Sequence, residues 1–147
     1  MNKMKWNSLI TLRVALGWLF FYAGITKVLN PDWSAAGYLS GAKTFTGLFE
    51  WFASPAILPV TNFLNQWGLT LIGLALILGL WTKVSSYLGI LLMALYYIPI
   101  LDFPMAGAHS YIIDDHIIYI LAFIVLIQFK ARNRCSLDSL FRKRRNR

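Results

Sequence analysis

Four long apolar runs organise the chain, at about residues 9–28, 60–81, 84–101 and 112–129. Each is close to the ~20 residues that a helix needs to cross a bilayer, and the hydrophobic residues come in blocks and not in amphipathic periods. The pattern predicts an all-α membrane protein, a four transmembrane helix bundle. Asn30-Pro31-Asp32 reads as a helix stop followed by a new N-cap, and Thr82-Lys83 reads as a very short turn between the second and third spans.

Residues 29–59 are too many for a simple turn. They carry Trp33, Tyr38, Phe45, Phe49, Trp51 and Phe52, interleaved with Gly37, Gly41 and Gly47, and Pro55 and Pro59 close the stretch. Aromatic side chains prefer the headgroup level, so the reading is a long aromatic-rich first outer loop with an interfacial helix. There is no internal repeat, low-complexity tract or second domain.

Composition supports this class. Of 147 residues, 58% are hydrophobic and 14% charged, where a soluble domain has roughly 45–50% and about 25%. A water-soluble globule is thereby excluded as the expectation. The net charge of +8 is confined to the ends: Lys3, Lys5 and Arg13 at the start, and eight basic residues against Asp138 within residues 129–147. Between them Lys27, Lys43 and Lys83 face Asp32, Glu50, Asp102, Asp114 and Asp115.

Basic ends of this kind hold helices on the cytoplasmic side and attract anionic headgroups, so no nucleic-acid partner is expected. The prediction is a membrane domain over 1–129 with both termini cytoplasmic, followed by a basic cytoplasmic tail over 130–147. Lys3 and Lys5 resemble the start of a signal peptide, but Arg13 interrupts the apolar run and no small-residue cleavage pattern follows Gly24, which reads as an uncleaved first span. The expected location is a prokaryotic cytoplasmic membrane, crossed several times. Cys135 in the tail has no partner for an intrachain disulfide, and no CxxC is present.

The candidate chemistry lies where charge meets the membrane. Arg13 and Lys27 are 14 residues apart, as are His116 and Lys130, and 14 residues of helix cover only ~21 Å against a hydrocarbon core of ~30 Å. Some of these groups must snorkel or sit below the surface. The first and fourth spans run antiparallel, which brings Lys27 and Asp114-Asp115-His116 to a similar outer depth and makes a pairing of Lys27 with Asp114 or Asp115 an expectation. Charges at such depth face a bundle interior or a wet cavity; the alternative reading is a set of interface anchors without chemistry.

On a helical wheel Arg13, Gly17, Phe20, Gly24 and Lys27 fall within about 80° of one another. Gly68, Ala75, Gly79 and Thr82 share a stripe of the second span, where small residues permit close helix approach or room for a flat ligand. Asp115, His116 and Tyr119 share a face of the fourth span. The imidazole of His116 can exchange protons near neutral pH beside two carboxylates. Tyr96-Tyr97 reads as an aromatic-belt pair. His109 is placed in an outer loop, and two histidines seven residues apart and both outside suit neither haem nor a tight metal site, so no metal or haem is expected.

The stretch from Arg13 to Lys27 resembles the R-x-x-x-G-x-x-F-x-x-x-G-x-x-K opening of the DoxX/DoxD family of membrane proteins. Gly73-Leu74-Ala75-Leu76-Ile77-Leu78-Gly79-Leu80-Trp81-Thr82-Lys83 is similar to the end of its second span, and Asp114-Asp115-His116-Ile117-Ile118-Tyr119 to the start of its last, so the resemblance covers about residues 9–129. It implies a four-helix bundle. The long outer loop with Asn30-Pro31-Asp32-Trp33 looks more like the DoxD type, the membrane subunit of thiosulfate:quinone oxidoreductase. Where family members carry an acidic residue near the start of the second span, this chain has Gln66 and Thr70.

That resemblance implies oxidation of thiosulfate at the outer face and transfer of electrons to a diffusible membrane quinone. Lys27 then attracts an anionic substrate or supports a quinone carbonyl, His116 exchanges the proton, Asp115 orients the imidazole, Tyr119 donates a hydrogen bond to the ring, and Asp114 and Arg13 complete the substrate- or quinone-binding set. Nothing in the chain supplies a thiol pair, flavin motif or metal site for the electrons, so a second protein subunit or a homo-oligomer is expected beside the lipid bilayer. The alternative is a non-catalytic DoxX-like scaffold or anchor for a redox partner. A small multidrug-type transporter ranks last, because the first span lacks a carboxylate.

Overall fold

The computed structural model describes residues 3–129. The basic tail, with Lys130, Cys135 and its arginines, lies outside the described residues, as do the side chains of Lys3 and Lys5. Three helices are long and apolar enough to cross a membrane: α1 (Lys3–Val28), α4 (Leu58–Leu78) and α5 (Thr82–Ile100). Two short helices, α2 (Ala36–Ser40) and α3 (Thr46–Ala53), occupy the aromatic loop. Three two-residue strands, β1 (Leu101–Asp102), β2 (Met105–Ala106) and β3 (Ser110–Tyr111), pair antiparallel in that order after α5.

The last element, α6 (Asp115–Gln128), is a shorter apolar helix than the sequence pattern suggests. Residues 112–114, which open the span predicted over 112–129, do not join the helix. Ile112 adopts a left-handed φ of 57°, and Asp114 is extended and caps the helix instead of entering it. Fourteen residues span ~21 Å.

Lipid tails are as apolar as leucine, so bundles of this kind are held by close packing more than by water exclusion. The tightest contact joins α1 to α4. Arg13, Leu16, Gly17, Phe20 and Gly24 form the buried face of α1, in the i, i+3, i+4, i+7 spacing of one helix stripe. On α4 the glycine that permits the approach is Gly73: a Cβ there would lie 2.6 Å from the Phe21 Cα and 2.6 Å from the Gly17 carbonyl oxygen. The glycines of the expected α4 stripe do other things. A Cβ on Gly68 meets nothing within 4 Å, and Gly79 takes the left-handed C-cap position of α4 at φ 69°, a conformation that favours glycine.

The second close pair is α5 with α6, where Gly89 faces the ring of Phe123. Phe123 in turn meets Phe20 edge-on at 5.2 Å, which joins the two pairs through one aromatic contact. Leu16, Leu69, Ile72, Leu76, Met93 and Leu126 complete this core. A smaller cluster of Ala35, Leu39 and Phe49 packs under the loop against Leu58 and Ile98.

The aromatic loop therefore folds back on the bundle. Its N-cap expectation shifts as well: Asn30 caps its own turn by accepting from the Asp32 N–H, while α2 begins four residues later with Ser34 Oγ accepting from Ala36 N–H. Three contacts fasten the segment: Asn62 Oδ1 accepts from Ala35 N–H at 2.9 Å, Lys43 N–H donates to the Pro99 carbonyl at 2.7 Å, and Thr44 Oγ1 donates to the Leu101 carbonyl.

Candidate functional site

A cavity of about 310 Å³ lies where α2 and α3 meet α1, α4 and α5. Its walls are the flat or apolar side chains Trp33, Phe49, Phe52, Leu64 and Leu95, and its polar patch is Lys27, Asn65 and Tyr96. The volume is at the lower end of the ~300–1,000 Å³ range of small-molecule sites, and a mostly apolar wall with a few convergent polar groups is their usual construction. Leu64 and Leu95 remain exposed on the outside of α4 and α5, so one margin of the cavity opens on the apolar flank of the bundle.

The polar patch is a closed triangle. Lys27 Nζ donates to the Tyr96 hydroxyl at 2.8 Å and to Asn65 Oδ1 at 3.3 Å, and the Tyr96 hydroxyl donates to the same Asn65 oxygen at 2.7 Å. The ammonium also lies over the ring of Trp33, at 5.0 Å from its centroid, an arrangement that stabilises a cation by about 0.5–2 kcal/mol. The expected pairing of Lys27 with Asp114 or Asp115 is not formed. Asp114 is already engaged by the α6 N-terminus and His116, and Asp115 is exposed.

Tyr96 connects this patch to the histidine. Its ring stacks on His116 at 5.8 Å and meets Tyr38 edge-on at 5.6 Å, and Tyr38 donates its hydroxyl to the Tyr96 backbone carbonyl. Burial pushes the Tyr38 phenol above its ordinary pKa, with Tyr96 and then Asp114 acting in the same direction, so it stays a protonated donor. Tyr97, one residue on, takes another path and donates to the Ile112 carbonyl at 2.5 Å. The sequence pattern groups the two tyrosines as one belt; 100° of helix rotation separates a cavity wall from a loop clamp.

The carboxylate that holds the imidazole is Asp114, not Asp115. Asp114 Oδ2 meets His116 Nδ1 at 2.5 Å, while Oδ1 accepts from the backbone N–H groups of His116 and Ile117 at 3.1 and 3.3 Å. One side chain thus caps α6 and orients the ring. Substitution of Asp114 by alanine is expected to cost about 1–2 kcal/mol in thermal unfolding, the usual penalty for a lost N-cap, whereas the same change at exposed Asp115 stays within about 0.5 kcal/mol. Equal losses at both positions would contradict the assignment.

The other residues singled out by the sequence pattern do not converge here. Arg13 is buried, with 1% of its surface exposed, but sits 14 residues before Lys27 on α1, ~21 Å along the helix. Tyr119 packs edge-on against Phe20 at 6.3 Å, and neither it nor Asp114, Asp115 or His116 lines the cavity, which His116 adjoins only through the ring of Tyr96. Gln66 donates to the Lys27 carbonyl at 3.4 Å and so fastens the end of α1 beside the site, while Thr70 donates to the Gln66 carbonyl at 2.7 Å within α4. Asn65 and the loop residues Trp33, Phe49 and Phe52 are cavity residues that the pattern does not pick out as a site; the signal for Asn65 is its place as a polar residue within an apolar run. Among the described residues no group of three His, Cys, Asp or Glu side chains could hold a metal ion.

No curated protein and no solved structure matches the chain. The model of the DoxX family matches residues 8–100, which runs from the second turn of α1 to the end of α5 and includes the whole cavity with its Lys27, Asn65 and Tyr96, and stops short of Asp114 and His116. A multi-pass helical membrane protein whose first helix packs through Gly17 and Gly24 on the second spanning helix, and which carries this match over more than half its length, belongs to the DoxX family.

Proposed function

We propose that this DoxX protein is the quinone-binding membrane subunit of an oxidoreductase in a prokaryotic cytoplasmic membrane, with α6 as the fourth crossing and both termini inside. The observation that carries the reading is the aromatic cavity with an ammonium and a phenol on one wall. A quinone head is flat and apolar on its faces and carries hydrogen-bond acceptors at its edge. Trp33, Phe49 and Phe52 offer faces for the ring, Lys27 donates to a carbonyl oxygen, and the margin between Leu64 and Leu95 leaves room for an isoprenoid tail.

In the DoxD-type reaction two thiosulfate ions join through one new S–S bond to give tetrathionate and release two electrons. Those electrons, delivered through a partner subunit, convert quinone to quinol with two protons. Lys27 holds the oxygen on which negative charge develops, and Tyr96 fixes Lys27. His116, stacked on Tyr96 and oriented by Asp114, exchanges protons with the outer solution.

The test is thiosulfate-dependent quinone reduction by membranes holding the chain, with and without a second subunit. Lys27→Met is expected to lower the rate by about 10–100-fold, the loss of one hydrogen bond to a charged group at about 1.5–3 kcal/mol, and His116→Ala to abolish turnover with the bundle still folded. Full activity in His116→Ala removes its proton role, and an inactive wild type in every combination removes the reading. The alternative, a non-catalytic scaffold, has in its favour the exposed Phe45 and Trp51 on the outside of the loop. Copurification of a second subunit without any quinone reduction decides for it.

A further inference from the structure

Lys27 brings a positive charge into an apolar cavity wall that does not balance it. Its two hydrogen-bond partners, Tyr96 and Asn65, are neutral, and the ring of Trp33 lies beneath it. Among the described residues no carboxylate oxygen lies within 4.0 Å of it. A half-buried cation without a counter-charge is held at a cost, and a ligand that supplies the missing charge gains a charge-assisted hydrogen bond roughly twice as strong as a neutral one.

Resting on the quinone reading, we infer that the cavity selects rings by charge: it takes a flat ring carrying an ionised oxygen, the enolate of a hydroxyquinone or the singly deprotonated quinol, in preference to a neutral ring of the same shape. The oxygen sits on Lys27 Nζ, and the aromatic walls carry the ring. Asn65 and Tyr96 act as positioning residues. Each spends its oxygen on the ammonium, which fixes its direction.

The probes are an alkyl hydroxynaphthoquinone, ionised at neutral pH, and its O-methyl ether, which cannot ionise. Binding to the purified full chain is read by quenching of tryptophan fluorescence. The ionised probe is expected to bind the wild type at least about tenfold more tightly than the ether, and its ring hydroxyl is expected to titrate about one pH unit lower when bound than when free, because a tenfold preference for the anion is one unit. Lys27→Arg keeps the preference and Lys27→Met loses it. Equal affinity of the two probes for the wild type overturns the inference while the quinone site stands, as does a preference that survives in Lys27→Met. Failure of both probes to bind takes down the quinone reading itself. The wild-type comparison needs no variant to fold.

Discussion

Gly73→Ala separates α1 from α4. A methyl group at this position enters the backbone of Phe21 and the carbonyl of Gly17, and neither can swing aside as a flexible side chain would. The helices must move apart along the whole stripe from Arg13 to Gly24, and Phe20 and Leu16 lose their seats against Leu69, Ile72 and Leu76. The expected loss is about 2–3 kcal/mol or more, seen as a drop of about 5–10 °C in the unfolding midpoint in detergent. Gly68→Ala is the matched control, because the space there is open and alanine improves helix propensity by up to ~1 kcal/mol. Equal behaviour of the two variants would mean that the α1–α4 contact is not what holds the bundle.

Tyr96→Phe is expected to have the largest effect on the site relative to its size. It removes one oxygen, and with it both the acceptor at 2.8 Å for Lys27 and the donor at 2.7 Å to Asn65. The ring remains, so the stack on His116 and the edge contact with Tyr38 are kept. Quinone reduction should fall about 10–100-fold, from loss of about 1.5–3 kcal/mol of charge-assisted hydrogen bonding that fixes the ammonium. Tyr97→Phe, which touches only the clamp to Ile112, should stay within about twofold in rate. A pair of variants with the same activity would show that the triangle of Lys27, Asn65 and Tyr96 has no part in turnover.

Hydrophobic blocks, end-loaded charge and punctuation by Asn30-Pro31 and Pro55 are sufficient to read a multi-pass helical membrane protein with helix ends near their observed places. The helix stop at Val28 follows from local chemistry, whereas the turn read at Thr82-Lys83 falls at residues 79–81, and Thr82 and Lys83 open α5. The same local rules place Lys27 and Asp114-Asp115-His116 at one end of the bundle, since helix rise alone sets depth. They do not say which carboxylate holds His116. That depends on Asp114 lying one residue outside α6 in an extended conformation, where its side chain turns back over the first turn, while Asp115 is left exposed.

Membrane class, helical elements and the end of the bundle that Lys27 and His116 share were legible from the chain alone, because these depend on composition and on distance along one polymer. Which faces meet was settled by packing. Gly73 and not Gly68 touches α1, Tyr96 and not Tyr97 lines the cavity, and Lys27 finds Asn65 and Tyr96 from α4 and α5 rather than an aspartate before α6. The difference is rotational. A helical wheel fixes which residues share a stripe but leaves free the angle at which that stripe is presented, and that angle is set by the closest approach of backbones that only the packed bundle contains.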